Sequence, residues 1–81
     1  MTVRVLLFAS YADFAGRESV DLPVRPNATV EDVLLQLRAA LPGADRLPQR
    51  PLVAVNRVHA RADTRVADGD ELAILPPMAG G

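Results

Sequence analysis

Between Thr29 and Leu41 the residues Val30, Val33, Leu34, Leu37 and Leu41 recur at helical spacing and make one apolar stripe. Thr29 is placed to cap this helix, and Asp32 three residues on completes a capping box with the shorter acid. Glu31 and Asp32 suit the positive end of the helix dipole, and Pro42-Gly43 stops the helix. A single long helix with one apolar stripe needs a flat apolar partner, so the remaining segments are expected to form a sheet.

Those segments have the right character. Val3 to Ala9 is β-branched and apolar, with Val3, Val5 and Leu7 on one face and Arg4, Leu6 and Phe8 on the other. Both faces are partly apolar, as in a central strand. Tyr11 to Arg17 is a helical turn or a loop. Ser19 to Val24 alternates Val20, Leu22 and Val24 and reads as a strand near an edge, because Pro23 cannot donate to a ladder. Pro42 to Pro51 carries three prolines and a glycine and reads as a surface loop. Leu52 to Asn56 is a further strand. Asp68-Gly69-Asp70 marks a turn before the last strand, Glu71 to Leu75. On that strand Leu72 and Ile74 share one face, and Glu71, Ala73 and Leu75 the other, so Leu75 points away from the core.

The order predicts an α+β fold of the ubiquitin-like β-grasp type: a mixed sheet of four to five strands covered by one main helix. Residues 1–75 form the domain and 76–81 an extended C-terminal tail. With 81 residues there is room for one core and not two.

Composition narrows the function. Cysteine is absent, so disulfides, thiolate metal sites and nucleophilic thiols are excluded. Net charge is −1, with the basic residues spread along the chain, which argues against nucleic acid and anionic membrane as partners. Val3 to Ala9 lacks a basic n-region and is too short to span a bilayer, so the expected address is the cytoplasm. All nine basic residues are arginine, so the chain has no lysine on which to be its own acceptor. No catalytic constellation is evident: His59 stands alone, Ser10 and Ser19 sit in strand-edge contexts, and Asp68, Asp70 and Glu71 are better explained by the turn than by a metal. No catalysis of its own, no bound cofactor and no metal site are expected.

The tail is the feature that carries chemistry. Pro76-Pro77 holds the backbone extended and ends the ladder, and Met78-Ala79-Gly80-Gly81 then narrows to bare backbone. Such an end enters a tunnel where any Cβ would clash and presents its carboxylate unobstructed. A frayed terminus is the plain alternative, since most chain ends are poorly ordered, but a terminal Gly-Gly arises by chance in only roughly one chain in two hundred. A carboxylate is a poor electrophile, so its use implies activation by a nucleotide in a partner enzyme. Phe8 and Leu75 fall on outward parities of strands that pair in a β-grasp sheet, which would build an apolar docking patch beside the tail exit; scattered surface hydrophobes are the plain alternative.

Phe8-Ala9, Thr29-Val30-Glu31, Val53-Ala54-Val55-Asn56 and the run from Asp68 to Gly81 resemble the small, sulfur-carrying subunits of molybdopterin synthases, over essentially the whole chain. The resemblance implies that the Gly81 carboxylate is adenylated with ATP by an adenylyltransferase of the ubiquitin-activating type. A cysteine-derived sulfur donor then converts it to a thiocarboxylate. It implies docking on a large catalytic subunit, in an assembly of two small and two large subunits. Met78, Ala79, Gly80 and Gly81 thread into that subunit's active site, and sulfur passes to the pterin precursor of molybdopterin. Phe8 and Leu75 match positions on the family's partner face, and His59 falls at a further one that is often apolar. There it is either a polar docking contact or simply an exposed strand residue. The alternatives are a carrier serving thiamine synthesis or tRNA thiolation, a ubiquitin-like protein modifier, or an interaction module.

Overall fold

In the computed structural model, which describes residues 1–76, the elements follow in the order β1 (Thr2–Leu7), α1 (Ala9–Ala15), β2 (Ser19–Pro23), α2 (Val30–Ala40), a 3₁₀ turn (Ala44–Arg46), β3 (Leu52–Val55), β4 (Val58–Ala60) and β5 (Glu71–Leu75). Among the described residues five strands form one mixed sheet in the order β2-β1-β5-β3-β4. β1 and β5 run parallel at its centre and the other pairs are antiparallel. This is the β-grasp arrangement expected, with β2 on an edge where Pro23 costs no ladder bond.

One face of the sheet and the stripe of α2 make the core. Val3, Val5 and Leu7 of β1, Leu72 and Ile74 of β5 and Val53 of β3 are buried, and Val30, Val33, Leu34 and Leu37 of α2 pack against them. Each strand contributes alternate residues and the helix every third or fourth, which is how the two periodicities meet in one layer.

The helix start is fully satisfied. Thr29 Oγ1 accepts from the Asp32 N–H at 3.3 Å, and the Asp32 carboxylate accepts from the Thr29 N–H at 3.0 Å. That backbone N–H, aided by the Thr29 hydroxyl and Arg25, holds Asp32 below the usual carboxylate range. Val30 N–H donates to the Thr64 carbonyl and Glu31 N–H to the Ala62 carbonyl, so the segment between β4 and β5 covers the donors a helix leaves unpaired.

Three segments differ from their sequence-based expectation. Tyr11 to Arg17 lies within and just beyond a true helix, α1, because Tyr11 buries its ring while Ala12 and Ala15 pack on the core; Ser10 is therefore helical and not beside a strand edge. The proline-rich stretch 42–51 is not all surface loop: Ala44 and Leu47 enter the core through the 3₁₀ turn. Gly43 makes that possible, since at φ +85 a Cβ would overlap the Phe14 carbonyl. The polar stretch after Asn56 contains a short edge strand, β4, joined to β3 by Asn56 and Arg57, both at positive φ (50 and 72) as a two-residue hairpin turn requires.

Candidate functional site

The face of the sheet opposite α2 is organised by register. Leu6 stands opposite Ser19 and Ala73, Ala73 opposite Ala54, and Ala54 opposite His59, so these five residues make one line across all five strands. One level toward the C-terminal end of β5, Leu75 pairs with Leu52. Phe8 follows Leu7, the partner of Ile74, which brings it to the level of Leu75 on the neighbouring strand. In the other direction lies a charged line, Asp21–Arg4–Glu71, with an Arg4–Asp21 ion pair of 3.1 Å.

This face thus has an apolar half and a charged half. Phe8 is 42% exposed and Leu52 50%, while Leu75 is half-buried between them. β1 stops at Leu7, and Phe8, in extended conformation (φ −124, ψ 152), is the residue that turns the chain into α1. Its position therefore comes from the strand-to-helix junction.

The charged half is held by the turn before β5. Asp68 accepts from the Thr2 N–H at 2.8 Å and Asp70 from the Ala67 N–H at 2.7 Å. Asn56 ties that turn to the β3–β4 hairpin, donating to Asp70 at 2.9 Å and accepting from the Glu71 N–H at 3.0 Å. These acids hold backbone donors, the work of a turn. Among the described residues no group of three or more His, Cys, Asp or Glu is placed to hold a metal. No helix among them is long and apolar enough to cross a membrane.

Of the residues singled out by sequence, the structure brings Phe8 and Leu75 together and puts His59 on the same face. His59 lies two strands from Leu75, about 10 Å across the sheet. Met78, Ala79, Gly80 and Gly81 lie outside the described residues. β5 ends at Leu75, and Pro76, with no N–H to donate, starts the tail beside Leu52. Sequence reasoning missed Leu52. The Leu-Val-Ala-Val run has its alternation, but which parity faces outward depends on pairing with β5.

Residues 5–81 match the ThiS family. The chain belongs to it. A relative in Chlamydomonas reinhardtii, a molybdopterin synthase sulfur carrier subunit, is 36% identical over 83 residues, with 100% of each chain covered. The small archaeal modifier protein 3 of Haloferax volcanii is 35% identical over 92 residues, again with 100% of both chains. The crystal structure of SAMP1 from Haloferax volcanii superposes with a TM-score of 0.89 at 34% identity, covering 100% of each chain. This ThiS-family chain therefore shares its fold and its full length with proteins named as sulfur carriers and with proteins named as modifiers.

Proposed function

We propose that this protein is the sulfur carrier subunit of a molybdopterin synthase. The observation that carries the proposal is the placement of Phe8, Leu75 and Leu52 as an apolar patch at the end of the sheet where the Pro-Pro-Met-Ala-Gly-Gly run begins. A partner that covers the patch receives the tail, and the full-length likeness to a named carrier subunit says which partner to test first: the large catalytic subunit.

In this scheme the Gly81 carboxylate attacks the α-phosphate of ATP in an activating enzyme, giving an acyl adenylate and pyrophosphate. Sulfide-level sulfur released by a cysteine-derived donor then attacks the acyl carbon, the bond to the adenylate oxygen breaks, AMP departs and a thiocarboxylate remains. A thiocarboxylic acid is far more acidic than a thiol, so the sulfur is an anionic nucleophile at neutral pH, the form transfer requires. The carrier contributes the acyl group and the docking face, and the large subunit the active site for the pterin precursor. No thiol on the carrier is needed, consistent with its lack of cysteine.

The test is intact-protein mass spectrometry after incubation with ATP, a sulfur donor and the cognate activating enzyme. The expected product has one oxygen of Gly81 replaced by sulfur. Unmodified carboxylate throughout would overturn the proposal. The likeness to a small archaeal modifier protein supports a second reading, a modifier joined to target lysines. It predicts conjugates of higher mass in cells and no thiocarboxylated free form.

A further inference from the structure

The carrier reading leaves one feature unused: all nine basic residues are arginine, in a chain that also lacks cysteine. An activated Gly81 acyl group is an electrophile on a short tether. Such a tether holds its end near its own surface at an effective concentration on the order of millimolar, so an amine or thiolate within reach competes with the incoming sulfur. A guanidinium carries the same charge as an ammonium but stays protonated at physiological pH and has no lone pair to offer.

The structure places arginines where such an amine would do harm. Leu52 stands opposite Leu75, and because β3 and β5 are antiparallel, Pro51 and Arg50 precede Leu52 on the side toward which β5 leads. Arg38, in the last turn of α2, donates to the Pro48 carbonyl of the same loop. The six residues after Leu75 can span at most about 20 Å when extended, which takes in this whole end of the molecule. Arg57 lies at the other end. Its neighbour Asn56 donates its N–H to the Glu71 carbonyl, four residues and roughly 13 Å back along β5.

We propose that this lysine-free, thiol-free surface keeps the carrier from acylating itself, retaining positive charge beside the tail exit while offering no side-chain amine or thiol to the activated carboxyl; the Met1 amine precedes β1 at the opposite end of the sheet. The proposal rests on the carrier reading. In the step it prevents, an amine nitrogen attacks the Gly81 carbonyl carbon. A carbon–nitrogen bond forms, the bond from that carbon to the adenylate oxygen breaks, AMP departs and the amine proton passes to solvent. No redox change occurs. The product is a looped chain one water lighter than the free acid, with its terminus lost to sulfur transfer.

The test uses a Gly81 thioester made by intein cleavage, in which a thiolate replaces AMP as leaving group and no activating enzyme is needed. Wild type, Arg50→Lys and Arg57→Lys are followed by intact mass at mildly alkaline pH, with circular dichroism to verify the fold. Wild type is expected to decay only to the free acid. Arg50→Lys is expected to give the species one water lighter, with the isopeptide mapped to position 50. Its thioester lifetime should shorten about tenfold at a rate independent of protein concentration. Arg57→Lys, farther from the tail exit though still within the ~20 Å span, should loop more slowly than Arg50→Lys. The proposal is overturned if the Arg50→Lys thioester hydrolyses to free acid as slowly as wild type, or if wild type loops at a comparable rate. Failure of the carrier reading is a separate result: it is absence of sulfur at Gly81 in the enzymatic experiment.

Discussion

The two faces of the sheet are built from the same strands and obey different rules. On the helix-covered face Val3, Val5, Leu72 and Ile74 are at most 1% exposed. On the other, Leu6, Phe8, Ala73, Leu75 and Leu52 form a patch with no element of the described chain over it. Apolar residues on the first face are explained by folding. Those on the second are not, because leaving Phe8 and Leu52 in water forgoes the free energy that burial would return. The contrast separates residues kept for stability from residues that the proposed docking would cover.

The largest expected effect is on the covered face. Leu37→Ala, at a position 0% exposed, should lower stability by about 2–5 kcal/mol in urea titration. Next, Phe8→Glu should leave stability within about 0.5 kcal/mol. Under the proposed carrier function it should nevertheless weaken binding to the large subunit by about 2 kcal/mol, roughly thirtyfold by calorimetry. Val58→Glu sharpens that test: Val58 is 69% exposed but on the helix-side parity of β4, so its substitution should leave affinity unchanged. Equal losses from both variants would mean that the open face is not special.

Smaller effects belong to local devices. Thr29→Ala removes the side-chain half of the capping box and should cost about 1 kcal/mol. Asp32, whose folded-state pKa is lowered mainly by the Thr29 N–H, contributes stability that is present above the unfolded-state value and is lost as pH falls through the folded one. Asp32→Asn should accordingly flatten the acid limb of the stability profile. The smallest effect is a gain: Arg57→Gly relieves a positive φ in the β3–β4 turn and should stabilise by a few tenths of a kcal/mol, the glycine entropy offsetting part of the relief.

Legibility followed the range of the interactions. The apolar stripe and capping box of α2 were legible because spacing and cap chemistry act within a few residues, and β1 and β5 because alternation does. The outward parities of Phe8 and Leu75 followed from the same alternation. β4 was not legible: three residues carry too little pattern, and its turn uses Asn56-Arg57 where glycine at the second position is the usual signal. The 3₁₀ turn was hidden by prolines that mark it as loop, although Ala44 and Leu47 complete the core.

Local chemistry was therefore enough to specify the helix and its caps, the inward and outward parities of the central strands, a Pro-Pro end to the sheet and a surface without lysine or cysteine. Only the folded chain decided that Leu52 lies beside Leu75, that Phe8 reaches the same level, and that the Ala62 and Thr64 carbonyls complete the start of α2. The physical reason is that parity is set by a strand's own backbone, whereas register is a choice between segments far apart in sequence. That choice is made by whichever pairing buries the most apolar surface while leaving no backbone donor unpaired.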